Sequence, residues 1–189
     1  KLRRRAHRCR RSMRLPGCLL ALVILPALAA LVARAAPAIP LQALIDATPA
    51  GGTLRLAPGT YAGPAAITRP LTVDGGGRAS ILGAGRGTVL SVAANGVTLR
   101  GLHISGSGEL HDSVDAGILL EGDDHRVEGN VIEDTLFGIH LKQVNRSRVT
   151  GNRVTGKDLE PGMRGDAIRL WYSRHNVVED NHFHRARDL

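Results

Sequence analysis

The feature that most constrains this chain is a repeat of short apolar segments that keeps its register over four units. Each unit opens with two apolar residues one position apart, and a third follows seven or eight positions later. A corner position comes three residues after that, and a last apolar position two residues further on. In unit order, these positions are Leu90, Val92, Leu99, Leu102 and Ile104; Ile118, Leu120, Val127, Asn130 and Ile132; Ile139, Leu141, Val149, Asn152 and Val154; Ile168, Leu170, Val178, Asn181 and Phe183. The second and third units lie 21–22 residues apart, and several short strands at such a period indicate a solenoid.

Two solenoid architectures fit a period of this length. A leucine-rich repeat requires a fixed leucine consensus and usually a helical segment, and the units show neither. A parallel β-helix requires inward β-branched residues and one tight polar bend per coil. Coils of a β-helix lie about 4.8 Å apart, so stacked amide side chains can bond along its axis. We therefore predict an all-β fold, a right-handed parallel β-helix solenoid, with a structural ladder of Asn130, Asn152 and Asn181.

Residues that flank the repeat agree with this fold. Gly129, Gly151 and Asp180 precede the three asparagines, and these residue types tolerate the left-handed backbone of a sharp bend. Residues 40–50 are the one segment of the body with helical periodicity. We expect a short N-terminal capping helix there, which would cover an open strand edge.

The basic composition belongs to the first residues of the chain. The net charge is +8, but nine of the 25 Lys and Arg residues and none of the 17 acids precede residue 36. The remainder carries 16 bases against 17 acids, and both cysteines also lie in the leader. A near-neutral body excludes the interpretation as a basic nucleic-acid-binding protein.

The leader has the organisation of an export signal. Residues 15–33 are uncharged and apolar, follow a group of arginines, and precede the small-residue pattern Ala33-Arg34-Ala35. We predict an export signal over residues 1–35 and a mature chain without a membrane span. An uncleaved anchor is the alternative, because nineteen residues approach the ~20 that span a bilayer. Met13 would give a compact start, which leaves open that residues 1–12 are a misassigned upstream extension.

The β-helix domain then occupies residues 36–189. Only residues 185–189 follow the fourth unit, and a solenoid needs a polar cap over its last apolar coil. We expect the domain to be truncated at the C-terminus of this sequence.

Two long connections leave one corner of the predicted solenoid. The last apolar position of one unit and the first of the next are 7 positions apart from Ile132 to Ile139. They are 14 positions apart from Ile104 to Ile118 and from Val154 to Ile168. The two longer connections, 105–117 and 155–167, have roots about 10 Å apart. Such insertions commonly mark a working face, although solenoids also tolerate solvated corner loops, and the residues favour neither interpretation. The candidate functional residues in these loops are His111, Asp112, Asp115, Asp158, Glu160, Arg164 and Asp166.

Three residues of the neighbouring strands complete the candidate interaction surface. His140 and Arg169 fall in one outward column, and Trp171 could stack on a sugar ring or occupy a strand-end turn. Asp115 and Asp166 could form a pair of carboxylates. Turn chemistry is the better interpretation for both, because each precedes a strand.

Metal binding and catalysis have weaker support. His182 and His184 are the weak metal candidates, since alternate positions of a strand share one side. Exported β-helices also suggest a polysaccharide lyase, epimerase or hydrolase. That chemistry needs acidic residues gathered on outward columns, and the columns that contain His103 and His140 hold no carboxylate. We therefore predict no catalytic residue and no cofactor within the chain.

Several segments of the body resemble the NosD family, periplasmic maturation proteins of nitrous oxide reductase. The segments are residues 54–77, HDSVDAGI, NVIEDTLFGIHL and RGDAIRLWYSRHNVVEDN, and the similarity covers roughly residues 41–189. The resemblance implies a non-enzymatic periplasmic scaffold for assembly of the reductase's copper–sulfur cluster during denitrification. The partners it implies are ABC transporter subunits, the apo-reductase and a copper chaperone lipoprotein. The resemblance also leaves open a contact with copper through that pathway.

Overall fold

The structure is a computed structural model that describes residues 38–188. The predicted export signal, residues 1–35, lies outside the described residues. The chain forms about six coils whose strands stack in parallel, which confirms the predicted β-helix. Among the described residues, the helices are too short to cross a membrane.

Each coil contributes strands to three faces. The first face stacks β2 (Thr53–Arg55), the start of β5 (Thr72–Leu82), the start of β7 (Thr98–Ser105), β9 (Arg126–Glu128), β12 (Arg148–Thr150) and β15 (Val177–Glu179). The second stacks β1 (Ile39–Pro40), β3 (Gly59–Ala62), the ends of β5 and β7, β10 (Val131–Thr135), β13 (Arg153–Gly156) and β16 (His182–His184). The third stacks β4 (Ala65–Ile67), β6 (Leu90–Ala93), β8 (Ala116–Glu121), β11 (Phe137–Lys142) and β14 (Ile168–Trp171).

The register of the strands is the one that the repeat predicts. Ile118, Ile139 and Ile168 pair directly on the third face, and their side chains point into the core. The inward positions of the stacked strands hold aliphatic residues, so the core is an aliphatic column along the axis, and β11 is buried on both sides from 137 to 141.

The asparagines form a continuous hydrogen-bonded ladder at one corner. The backbone N–H of Leu102 donates to Oδ1 of Asn130, that of Asn130 to Asn152, and that of Asn152 to Asn181, at 2.9–3.0 Å. The amide of Asn130 also donates to Asn152 and to the carbonyl oxygen of Leu99, both at 3.0 Å. Gly129 and Gly151, which precede two of the asparagines, have φ values of +60° and +65°.

The expected helix is present but shorter than residues 40–50. Helix α1 spans Leu41–Ala47 and ends before Thr48, since Pro49 disfavours a helical conformation in the residue that precedes it. Leu41 and Ile45 are fully buried in the core, so the helix covers this end of the apolar column. Arg69 supports the helix by donating to the carbonyl oxygen of Asp46 (2.9 Å).

Candidate functional site at the corner loops

Two loops project from the corner between the second and third faces. Loop 1 is residues 106–115, between β7 and β8, and loop 2 is residues 157–167, between β13 and β14. Loop 2 contains a single 3₁₀ turn, Pro161–Met163. Each loop is shaped by one polar side chain that bonds to the loop's own backbone or neighbours.

Asp115 fixes the conformation of loop 1. Its carboxylate is buried, with the residue only 2% exposed, and it accepts from the backbone N–H of Leu110 (3.1 Å) and the hydroxyl of Ser113 (2.6 Å). In loop 2, Arg164 donates to the carbonyl oxygen of Leu159 (2.8 Å). Both residues therefore hold loop backbone in place.

The two loops contact each other above β11. His111 donates from Nε2 to the carbonyl oxygen of Met163 at 3.0 Å. Its ring also packs edge-on against Phe137, with centroids 5.6 Å apart. Phe137 is 1% exposed and forms a small apolar cluster with residues of both loops, Val114 and Leu159.

A cleft of about 300 Å³ opens between loop 1 and the third face. Loop 1 contributes three residues to its wall, and β8, β11 and β14 supply the remainder. The lining residues are Asp112, Ser113, Val114, Leu119, His140, Lys142, Arg169 and Trp171.

His140 is a buried polar residue of the cleft without a hydrogen bond. It is 6% exposed, and among the described residues neither ring nitrogen has a partner. Burial, followed by the positive charges of Arg169 and Lys142, lowers the pKa of His140 below its ordinary value. The imidazole is therefore neutral at neutral pH.

Arg169 lies close to two aromatic rings. Its guanidinium carbon is 5.4 Å from the centroid of Phe137 and 5.7 Å from that of Trp171, which are cation–π distances. The nearest carboxylate is Asp166, at 3.6 Å from a guanidinium nitrogen. Trp171 is 47% exposed, so one part of the indole faces the open cleft.

The structure brings four of the ten candidate surface residues to the cleft. These are Asp112, His140, Arg169 and Trp171. His111, Asp115 and Arg164 hold the loops instead. Asp158 and Glu160 lie exposed on loop 2, where Asp158 is 3.6 Å from Arg185.

Asp115 and Asp166 have different partners and do not share a site. Asp115 is committed to loop 1, whereas Asp166 lies 3.3 Å from Arg187 and beside Arg169. Asp115 accepts from a backbone N–H of its own loop, as turn chemistry requires, whereas the partners of Asp166 are the guanidinium groups of Arg169 and Arg187.

Sequence reasoning missed four lining residues: Leu119 and Lys142 on the strands, and Ser113 and Val114 in loop 1. The signal for Lys142 was available, since the repeat places it directly opposite Trp171 in the next coil. Lys142 is bound to Glu121 at 2.7 Å. The closeness of loop 1 to the third face has no signature in the sequence.

His182 and His184 lie exposed on β16, in register with Arg153 and Thr155 of the previous coil. Among residues 38–188, no group of three or more His, Cys, Asp or Glu residues is arranged to hold a metal ion. Both histidines remain candidates from the sequence alone.

The stacked coils and corner loops define a class of protein that comparison with known families also identifies. Residues 87–189 match the family described as "Right handed beta helix region", and the chain belongs to that family. The matched residues include both corner loops.

A particular relative adds to this assignment. The chain is 30% identical over 175 residues to the "Probable ABC transporter binding protein NosD" of Pseudomonas aeruginosa. The similarity covers 91% of this chain and 40% of the relative, so the chain spans about two-fifths of the relative's length. No solved structure matches the chain.

Proposed function

We propose that the chain is part of a periplasmic accessory protein that works with an ABC transporter in assembling the copper–sulfur cluster of nitrous oxide reductase. The observation that carries the proposal is the 30% sequence identity between this chain and NosD, in an alignment that covers 91% of the chain. That relative is named as an ABC transporter binding protein. The chain's own contribution is to dock partner proteins and hold them in a fixed relation.

The corner loops are the docking surface in this proposal. They project from a rigid scaffold and are tied together by His111, so their exposed side chains keep a defined arrangement. Asp158 and Glu160 are exposed acidic residues of loop 2, and Asp158 lies 3.6 Å from Arg185. The partners to be tested are the transporter subunits, the apo-reductase and a copper chaperone lipoprotein.

Charge reversal on loop 2 tests the docking surface. We expect Asp158→Lys with Glu160→Lys in the full-length protein to reduce capture of the apo-reductase or transporter subunits at least severalfold. Deletion of residues 158–164 should do the same, with circular dichroism showing that the β-helix survives. Arg126→Gln, an exposed change on the first face, is the matched control and should leave capture unchanged.

Assembly of the reductase is the second measurement. Cells that carry the loop-2 variants should produce reductase with reduced copper–sulfur cluster absorbance. Normal partner capture and normal cluster content in the deletion variant would exclude loop 2 from the mechanism. Cleavage of uronic acid polymers, lost when Asp112, Asp115 and Asp166 are changed to Asn, would contradict the accessory role.

A further inference from the structure

We infer that the cleft between loop 1 and the third face is a binding site for a small carboxylate carried on a ring. This inference does not depend on the proposed accessory role, because it rests on the side chains that line the cleft. Three side chains of the cleft keep binding capacity that the described residues do not fully use, and together they match one chemical class of ligand.

The first group is the guanidinium of Arg169. Its side chain is 30% exposed and, within residues 38–188, it donates no hydrogen bond to the protein. Asp166, the closest carboxylate, is beyond hydrogen-bond distance at 3.6 Å and also bonds to Arg187. The guanidinium carbon lies within cation–π distance of both Phe137 and Trp171, and a guanidinium can donate two parallel N–H bonds to a planar carboxylate.

The second group is the imidazole of His140. It is more than nine-tenths buried in the floor of the cleft, and neither nitrogen bonds to a described residue. Buried polar atoms in folded proteins almost always have a partner. A ligand oxygen beside Arg169 would provide one, since His140 and Arg169 pair directly across β11 and β14.

The third group is the indole of Trp171, which is half exposed at the rim. An exposed indole offers a flat apolar surface for a ring. Leu119 and Val114 extend this apolar wall. The cleft volume of about 300 Å³ is at the small end of ligand pockets, which suits a single ring.

The charges of the cleft favour a carboxylate at the Arg169 end. Lys142 is bound to Glu121 at 2.7 Å, so its charge is largely compensated. Asp112 lies on the loop-1 side, where it would repel a second anionic group and accept from a ligand hydroxyl. The site therefore suits one carboxylate on a ring, from either an aromatic acid or a sugar acid.

The chain provides its own reporter for this site. Trp171 is the single tryptophan of the sequence, so fluorescence excited selectively at tryptophan reports on the cleft. The full chain would be titrated with benzoate and with D-glucuronate at constant ionic strength. Benzamide and D-glucose are the matched neutral rings. We expect a saturable fluorescence change with at least one acid and none with the neutral compound of the same ring.

Variants assign the binding to the cleft. Arg169→Gln should weaken binding about tenfold or more, since it removes a charge-assisted bidentate contact. Arg169→Lys should bind more tightly than Arg169→Gln but more weakly than the original chain, because lysine keeps the positive charge but lacks the two parallel N–H groups of a guanidinium. Arg126→Gln removes the same charge from a remote face and should bind as the original chain does.

The outcomes distinguish a sugar acid from an aromatic acid as the ligand, and both from a failure of the inference. Tighter binding of glucuronate identifies a sugar acid, and tighter binding of benzoate identifies an aromatic acid. No saturable change with either acid, equal binding of the neutral compounds, or full affinity in Arg169→Gln would overturn the inference. Loss of partner capture in the loop-2 variants has no bearing on it, because Asp158 and Glu160 do not line the cleft.

Discussion

Single polar residues close the corners of this β-helix. Beside the asparagine ladder, a second column runs through Asn95, Asp123 and Asn145, in which each side-chain oxygen accepts from the backbone N–H of the next coil at 2.8–3.1 Å. His125 occupies a third such column, where its Nδ1 accepts from the N–H of Val97 (3.3 Å). In these positions a polar side chain replaces the backbone bond that a sharp bend leaves unmade.

The middle rung of the asparagine ladder is the most costly to remove. Asn152 accepts from the backbone and side chain of Asn130 and donates to Asn181 and to the carbonyl oxygen of Val127. We expect Asn152→Ala to lower the free energy of unfolding by about 2–4 kcal/mol, because it leaves buried donors and acceptors unpaired. Asn181→Ala, at the more exposed rung, should cost less. Equal losses in urea unfolding would contradict the role of burial.

Two buried histidines make stability depend on pH. Burial lowers the pKa of both His125 and His140 in the folded chain, so the unfolded chain binds protons at a higher pH than the folded chain does. Stability is therefore complete above the unfolded pKa of about 6.5 and falls as the pH drops through it toward the folded pKa.

Urea unfolding at about pH 7.5 and about pH 5.5 measures this difference. His125→Gln with His140→Gln should reduce the loss of stability on acidification. His175→Gln, on the exposed surface of the last coil, is the control and should leave the loss unchanged. An undiminished loss in the double variant would assign the pH dependence to other groups.

At the scale of the strands, small residues let the coils approach at the corner where the long loops begin. A Cβ on Gly117 would lie 2.6 Å from Cγ2 of Ile132, and a Cβ on Gly138 would collide with the carbonyl oxygen of Ala167 and with Val154. Glycine is required here by the close stacking of β8, β11 and β14.

Gly138→Ala tests this close approach. We expect it to lower the free energy of unfolding by about 1–3 kcal/mol, the usual cost of overpacking. Gly162→Ala is the matched control, since a Cβ there meets nothing within 4 Å. Thermal unfolding of both variants would compare them, and similar melting temperatures would show that the third face can expand to accept a methyl group.

The strands were far more predictable than the candidate site. Ile118, Ile139 and Ile168 recur at intervals that the pleat translates directly into register, so sequence position determines spatial position. The cleft depends instead on how loop 1 folds back over His140, which Asp115 determines through bonds within the loop. The repeat specifies the strand positions at which each loop begins and ends, but it does not specify the path of the loop between them.

At the scale of the whole molecule, each coil pairs only with the coils before and after it. Stability in such an array is a sum of coil and neighbour terms, so local opening should vary along the axis. Burial follows this expectation, since Val178 is 39% exposed in the last coil whereas Val127 and Val149 are fully buried.

Hydrogen exchange should therefore be graded along the chain. In the 189-residue chain, where β15 and β16 pair with a coil on one side only, we expect their amides to exchange at least tenfold faster than those of β9 and β10, which have paired coils on both sides. Exchange measured by mass spectrometry on peptides from each coil would show the gradient. Uniform protection from β9 to β16 would mean that the coils open together as one unit.

The corner between the second and third faces also has an evolutionary consequence. Six residues connect Ile132 to Ile139 and 13 connect Ile104 to Ile118, yet both connections return the chain to the same register. An insertion or deletion at this corner leaves the neighbouring coils undisturbed, and closing a longer loop adds little entropic cost. The corner can therefore gain, lose or exchange recognition segments while selection on the core remains unchanged, so new specificities can arise there without a new fold.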